Sequence, residues 1–104
     1  MEDDSNSIGG CWRLYILRCS DGLYYTGITT DIPNRLKAHN SGKGAKYTRQ
    51  RRPIELVYYE DCGSETIARR RERELKGWRR DKKEGLISGF PSERLADVLR
   101  ISAE

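Results

Sequence analysis

Two apolar, tyrosine-rich segments of this chain, residues 12–18 and 23–28, lie on either side of the short turn Ser20-Asp21-Gly22. Their aromatic and β-branched residues favour extended backbone, and the turn is made of residues that readily reverse the chain direction. A three-residue loop that ends in glycine is a common hairpin connection, because glycine easily adopts the left-handed conformation that closes it. The sequence therefore predicts a β-hairpin, and any fold of this chain must be built around it.

The length of the hairpin loop also decides which side chains share a face of the sheet. With three loop residues, Cys19 pairs with Leu23, and Tyr15 consequently pairs with Gly27. Because side chains alternate along a strand, Tyr15 and Tyr25 then project from the same face. A two-residue loop would shift the register by one residue and separate the two phenols.

The later part of the chain predicts a helix capped by Thr30 or Asp31, a basic loop, one more strand and three further helices. In chain order these segments are residues 32–40, 41–52, 54–60, 65–78, 82–87 and 92–101. The helix over 65–78 turns one side toward the core, and that side carries Ile67, Ala68, Arg71, Leu75 and Trp78. This order predicts an α+β fold in which a small three-stranded antiparallel sheet is flanked by helices.

The size and composition of the chain limit it to one domain. It has 104 residues, of which 36% are hydrophobic and 35% charged, so a single modest core must suffice. We expect a disordered tail over residues 1–10, a folded domain over 11–88, and a helical extension over 89–104 that packs on the same domain. No apolar stretch approaches the ~20 residues of a membrane span, so no membrane partner is expected. Three cysteines without a C-x-x-C pair favour a reducing cytoplasm over a disulfide framework.

The positive charge of the chain is concentrated in one segment. The net charge is only +4, but residues 32–54 carry seven basic side chains and no acidic one. Such a block attracts polyanions, because each phosphate that it neutralises releases condensed counterions. The charge distribution thus favours nucleic acid as a partner, and the alternative is an ordinary solvated basic loop.

Several short motifs occur along the chain in a distinctive order. Two tyrosine-bearing strands are followed by an arginine and a histidine one helical turn apart, then by a glycine-containing basic loop and a helical glutamate. The segments are Arg13-Leu14-Tyr15, Tyr25-Thr26-Gly27, Arg35, His39-Asn40, residues 41–49 and Glu72-x-Glu74-x-Lys76. This ordered set resembles the GIY-YIG nuclease superfamily, most closely its small stand-alone bacterial members. The resemblance extends over roughly residues 12–88.

The resemblance implies a metal-dependent hydrolysis of DNA phosphodiester bonds on a β-β-α-β-α-α core. It assigns catalytic roles to Tyr15, Tyr25, Arg35, His39 and Glu72. One tyrosine would help to deprotonate the attacking water, the arginine would steady the phosphate, and the glutamate would hold one Mg²⁺ or Mn²⁺ ion. The histidine would bind the phosphate or protonate the leaving oxygen. Many members have a further polar residue after the glutamate, often asparagine, and this chain has no asparagine between Glu72 and Ile87.

The residues themselves leave several of these roles open. A phenol is a poor base at neutral pH unless positive charge lowers its pKa from ~10. Nothing in the sequence decides whether Tyr15 or Tyr25 is the general base. Magnesium is commonly held by one or two carboxylates together with waters, so Glu72 alone would suffice, but Glu74 is a rival on the same helix. Glu72 and Lys76 could also form an ordinary surface ion pair.

The basic loop is expected to contact the DNA backbone. Its candidate residues are Lys43, Lys46, Tyr47 and Arg49, and the tyrosine could in addition stack on a base. The loop lacks the spacing of a P-loop.

Three classes of function are therefore compared. The first is a DNA endonuclease, structure-selective or weakly sequence-specific, that acts in repair or recombination. The second is a non-catalytic nucleic-acid-binding module with the same fold. The third is an assembly protein that docks a partner on its C-terminal helix.

Overall fold

Three strands form one antiparallel sheet in the computed structural model of the protein, which describes residues 11–100. Strand β1 (Trp12–Arg18) lies in the middle, between β2 (Tyr24–Thr29) and β3 (Glu55–Gly63). The sheet and its flanking helices confirm the α+β architecture. The predicted disordered tail, residues 1–10, lies outside the described residues, as do the last four residues of the C-terminal extension.

The hairpin has the register that its loop length predicts. The Cys19 N–H donates a hydrogen bond to the Leu23 carbonyl over 2.8 Å, and Gly22 closes the loop with a φ angle of 87°. Tyr15 consequently pairs with Gly27. Tyr15 and Tyr25 therefore lie on the same face of the sheet, with their ring centroids 6.4 Å apart.

Five helices surround the sheet: α1 (Ile32–Asn40), α2 (Lys46–Arg49), α3 (Glu65–Lys76), α4 (Arg80–Ser88) and α5 (Ser92–Arg100). Helix α1 begins where the sequence indicates, because the Asp31 carboxylate accepts a hydrogen bond from the Asn34 N–H. The prediction of an irregular loop over 41–52 is wrong in its centre. There the Ala45 carbonyl accepts the N–H groups of Thr48 and Arg49 and starts the short helix α2. Strand β3 also runs three residues further than predicted, since Trp12 still pairs with Gly63.

Hydrophobic residues cover both faces of the sheet. On one face, helices α1 and α5 pack on a core made of Tyr15, Leu17, Cys19, Ile32, Ile54, Leu56, Tyr59 and Val98. On the other face, helices α3 and α4 pack on Leu14, Ile16, Val57, Tyr58 and Leu75. Tyr58 and Tyr59 thus point to opposite faces, as expected of neighbours in a strand.

One expectation for the helices is corrected, the burial of Ile67. Ile67 is 49% exposed, because α3 turns Ala68 and Leu75 to the sheet, and both of these are fully buried. Helix α5 buries Val98 in the chain's own core, with Leu95 and Leu99 packed beside it, so this apolar face is already covered. Ile101, which the sequence also assigned to that face, lies outside the described residues. Between residues 11 and 100, no helix combines the length and the apolarity needed to cross a bilayer.

A close contact between Tyr15 and Gly27 positions the phenol. The aromatic ring of Tyr15 lies across the backbone of Gly27 on the neighbouring strand, and Tyr15 is only 2% exposed. A Cβ atom at position 27 would lie 2.5 Å from the Tyr15 hydroxyl oxygen and 2.7 Å from Cζ. The absence of a side chain at Gly27 therefore allows the Tyr15 hydroxyl to reach past strand β2.

We expect Gly27→Ala to destabilise the protein by about 1–3 kcal/mol, because the rigid, buried Tyr15 ring must move to make room for the new methyl group. Urea unfolding followed by circular dichroism measures the change in the free energy of unfolding. Gly85→Ala is the matched control, since a Cβ atom there meets nothing within 4 Å in the middle of α4. This control should be neutral or up to about 1 kcal/mol more stable, because alanine has the higher helix propensity. Equal effects at the two positions would contradict the close contact.

Candidate active site

Tyr15, Tyr25 and His39 form an aromatic cluster between the hairpin and helix α1. The His39 ring centroid lies 6.0 Å from that of Tyr15 and 5.2 Å from that of Tyr25. The Tyr15 hydroxyl and the His39 Nε2 atom are 3.1 Å apart, within hydrogen-bond distance. Arg35 lies one helical turn before His39, so α1 presents both side chains on one face.

His39 is completely buried at the end of α1. The backbone of Gly44 packs directly against it, and a Cβ atom at position 44 would lie 2.7 Å from Cγ of the ring. Burial, reinforced by the positive charge of Arg35, lowers the pKa of His39 to about 4. The imidazole is therefore neutral at pH 7.

The hydrogen bonds around His39 assign its tautomer. The His39 Nδ1 atom lies 2.7 Å from the Thr48 hydroxyl oxygen, and this hydroxyl donates its single proton to the Ala45 carbonyl over 2.9 Å. Thr48 must then accept from His39, which places the imidazole proton on Nδ1. The Nε2 atom is left as an acceptor for the Tyr15 hydroxyl. The buried chain thus runs from Tyr15 through His39 and Thr48 to the backbone of α2.

The charges around Tyr15 act on it in opposite directions. Burial raises the pKa of Tyr15 to about 12, and the negative charge of Glu72 adds to the rise. The Arg35 guanidinium beside the phenol opposes it. Tyr15 is therefore protonated in the resting site and has a base, a cation and a carboxylate in its surroundings.

Glu72 and its rival Glu74 have different surroundings on α3. The Glu72 side chain is 20% exposed, pairs with Lys76 over 3.1 Å, and acts electrostatically on Tyr15. The Glu74 side chain is 55% exposed and pairs with Arg71 over 3.1 Å. Of the two carboxylates, Glu72 is the one whose charge acts on Tyr15.

A magnesium or manganese ion at this site would have one carboxylate ligand from the protein, that of Glu72. Within residues 11–100, no three His, Cys, Asp or Glu side chains converge into a preformed metal centre. Magnesium usually keeps several waters and takes one or two carboxylates together with substrate oxygens, so a single half-buried carboxylate is chemically adequate.

The basic loop contributes Tyr47 to the aromatic cluster of the site. Tyr47 stacks on Tyr25, with the ring centroids 6.0 Å apart and the ring planes inclined by 29°. Lys43, Lys46 and Arg49 are exposed beside it. They take part in none of the salt bridges that join side chains of the described part of the chain.

Sequence reasoning missed Thr48 and Gly44 as parts of the site. Both lie in a segment whose glycines and positive charges indicated an exposed DNA-contacting loop. Thr48 is instead fully buried. Its position next to the exposed Tyr47 gave no periodic signal of burial, because α2 is only four residues long.

The family model of the GIY-YIG catalytic domain matches residues 11–85 of this chain. The protein therefore belongs to the GIY-YIG family, a class of catalytic domains of the nuclease type. The order of its two tyrosine strands, arginine, histidine and helical glutamate is in accord with that membership.

Within the family, the chain is similar to small proteins named UPF0213. It is 48% identical to one from Bacillus pumilus over 82 residues, which are 79% of this chain and 84% of the relative. It is 49% identical to one from Halobacterium salinarum over 75 residues, which are 72% of this chain and 97% of the relative. The solution structure of a UPF0213 protein from Bacillus halodurans is 51% identical, with a TM-score of 0.51 over 79% of this chain and 89% of that one.

The buried state of His39 predicts a dependence of stability on pH. Its pKa is about 4 in the folded chain, against ~6.5 for an unperturbed histidine. The unfolded state then binds more protons between these values, so the contribution of His39 is fully present above about pH 6.5 and is lost as pH falls toward 4. We expect about 3 kcal/mol of the free energy of unfolding to depend on it.

Urea unfolding of the wild type and of His39→Gln from pH 7.5 to pH 4 measures this contribution. The variant should lose less stability than the wild type over this range, because glutamine does not titrate. The same loss in both proteins would show that His39 is not held neutral by the fold.

Removal of the Thr48 hydroxyl should disturb the tautomer of His39. Thr48→Val keeps the shape of the side chain but leaves the His39 Nδ1–H without a partner, which costs about 1–3 kcal/mol. Thr48→Ser retains the hydroxyl and should keep the nitrogen NMR shifts of the imidazole at wild-type values. If valine left those shifts unchanged as well, the proposed direction of the hydrogen bond would be wrong.

Proposed function

We propose that this protein is a metal-dependent endonuclease that hydrolyses DNA phosphodiester bonds, with structural or weak sequence selectivity, in DNA repair or recombination. The observation that carries this proposal is the surroundings of the Tyr15 hydroxyl. It lies 3.1 Å from the His39 imidazole, and the Arg35 guanidinium and the Glu72 carboxylate both act on its pKa. Hydrolysis of a phosphodiester needs a proton acceptor, a cation for the phosphate and a metal ligand, and these groups are all present.

The proton of the attacking water would pass to the oxygen of Tyr15. A phenol can take this proton only if it gives up its own, and the Nε2 atom of His39 is 3.1 Å away to receive it. Thr48 holds the tautomer in which this nitrogen is free. The low pKa of His39 makes it a weak acceptor at rest, but an incoming phosphate carries negative charge that raises that pKa.

Arg35 would bind the phosphate as charge develops on its oxygens. Its guanidinium is permanently charged and donates in a planar fork that matches a phosphoryl group. The same charge opposes the rise of the Tyr15 pKa. Arg35 therefore favours both the bound phosphate and the loss of the Tyr15 proton.

Glu72 would hold one Mg²⁺ or Mn²⁺ ion. When bound, such an ion polarises the phosphate and lowers the pKa of a coordinated water. The carboxylate of Glu72 can leave Lys76 for this role with little loss of stability, because the Lys76 side chain is 53% exposed and an ion pair near the surface contributes only about 0–1 kcal/mol.

The products follow from the direction of attack. The water oxygen forms a bond to phosphorus while the bond from phosphorus to the 3′ oxygen breaks, and the 3′ oxygen takes up a proton from solvent water. The expected ends are a 5′-phosphate and a 3′-hydroxyl. The exposed Lys43, Lys46 and Arg49 would contact the DNA backbone and thus add affinity without reading the sequence.

Glu72→Gln and Arg35→Ala should each lower the rate of DNA cleavage in the presence of Mn²⁺ or Mg²⁺ by at least about 10²–10³-fold, because each removes a charge that acts on the transition state. Gel assays on branched, single-stranded and duplex DNA measure the rate, and anisotropy measures binding. Glu74→Gln is the matched control on the same helix. It should cleave within about twofold of the wild type, since its partner is Arg71 on the side away from the cluster.

Cleavage that survives Glu72→Gln would contradict the assigned metal ligand. DNA binding by the wild type without any metal-dependent cleavage on these substrates would contradict the endonuclease and favour a binding module of the same fold.

A further inference from the structure

A cavity of about 260 Å³ lies beside the candidate active site, at the edge strand β2. It is lined by Tyr24, Tyr25, Thr26, Tyr47, Lys76 and Lys83. Sites that bury a drug-sized ligand usually measure roughly 300–1,000 Å³, so this cavity suits a single small group. Its lining combines three tyrosines with two lysines, and the catalytic proposal above uses neither Tyr24 nor Lys83.

The aromatic residues of the cavity are held in place by arginines. The Arg51 guanidinium lies 4.2 Å from the ring centroid of Tyr47, and the Arg80 guanidinium lies 4.6 Å from that of Tyr24. Tyr47 nevertheless remains 38% exposed. Exposed tyrosines in a cationic setting are typical of surfaces on which nucleobases stack.

Lys76 and Lys83 form one wall of the cavity and supply positive charge to it. Burial lowers the pKa of Lys83, and the neighbouring charge of Lys76 lowers it further. Lys83 takes part in none of the salt bridges found within residues 11–100, whereas Lys76 pairs with Glu72. An anion between the two ammonium groups would relieve their repulsion, so this wall favours a phosphate.

Thr26 adds an unsatisfied polar group to the lining. It is 3% exposed, and its Oγ1 atom is the one buried side-chain nitrogen or oxygen of the described residues that has no hydrogen-bond partner. An unpaired buried hydroxyl costs about 1–3 kcal/mol relative to a paired one. The cavity therefore adjoins a polar group that the described residues leave without a partner.

We propose that this cavity binds one unpaired nucleotide of the DNA substrate, with its base against the tyrosines and its phosphate at Lys83. The inference rests on the proposed nuclease function and adds a substrate class to it. The ion pair between Lys76 and Glu72, 3.1 Å long, connects the cavity to the candidate metal ligand. The unpaired nucleotide would therefore lie next to the phosphate that is cleaved.

The cavity consequently selects single-stranded DNA or the unpaired nucleotides of a branch. In an intact duplex the faces of each base are covered by its neighbours, and a base can reach the cavity only after it has been unstacked. The bases of a single strand can enter the cavity without the free energy needed to unstack a duplex. The expected substrate class is thus defined by the absence of pairing and not by a base sequence.

Anisotropy titrations with a labelled single-stranded oligonucleotide and with the duplex of the same sequence test this inference. They are carried out on the full chain in EDTA, so that no cleavage occurs. We expect Lys83→Gln to weaken binding to the single strand about three- to tenfold, to reduce its logarithmic salt dependence by about 0.7, and to leave duplex binding unchanged. Lys82→Gln is the matched control, because this neighbouring lysine lies over the Trp78 ring, 4.2 Å from its centroid, outside the cavity. It should change both affinities by less than twofold.

A second experiment changes the DNA and leaves the protein intact. The DNA is a short single strand in which each base in turn is replaced by an abasic residue. We expect binding to weaken about tenfold at one position, because the base at that position would otherwise stack in the cavity. Equal loss of single-strand and duplex binding in Lys83→Gln, or an equal effect of Lys82→Gln, would overturn the inference. If the wild type cleaves DNA with metal but treats the two forms alike, only this inference fails. If it neither binds nor cleaves any of these DNAs, the proposed function fails with it.

Discussion

The arrangement of the candidate site depends on the path of one side chain, the phenol of Tyr15 across the backbone of Gly27. This path is open only because Gly27 has no Cβ atom, and it ends at the buried imidazole of His39. The hydrogen bonds then continue through Thr48 to the backbone of α2. This buried polar chain joins strand β1 to helices α1 and α2. A polar group left unpaired within it would destabilise the folded protein, because water cannot replace the lost hydrogen bond.

The polar chain also explains the unusual protonation states of the site. Burial favours the neutral forms of both partners, so it raises the pKa of Tyr15 and lowers that of His39. The same burial that stabilises the fold keeps a transferable proton on the phenol and an empty acceptor beside it. Arg35 lowers and Glu72 raises the pKa of the phenol. The cavity along β2 shares Lys76 with the ion pair of Glu72, so the positions proposed for a base and for the cleaved phosphate are adjacent.

Much of the fold could be predicted because local rules governed it. The turn at Gly22 set the hairpin register, and the Asp31 cap set the start of α1. The predictions for Ile67 and for the loop over 41–52 were wrong for a common reason. Which residues of α3 are buried depends on where the helix meets the sheet, and Thr48 of the short α2 is buried where it contacts His39 of α1. Neither is a local property of the chain.

The sequence alone determined the order of the three strands and of every helix except α2, the common face of Tyr15 and Tyr25, and the set of residues that resembles a nuclease. Turn geometry, alternation and capping act between residues close together in the chain, and these can be read from it. Only the tertiary structure decided that Glu72 and not Glu74 acts on the phenol, which nitrogen of His39 carries the proton, and that Lys83 shares a cavity with Tyr47. These relations join groups 9, 36 and 57 positions apart, and they depend on how helices pack on a sheet, which no spacing along the chain records.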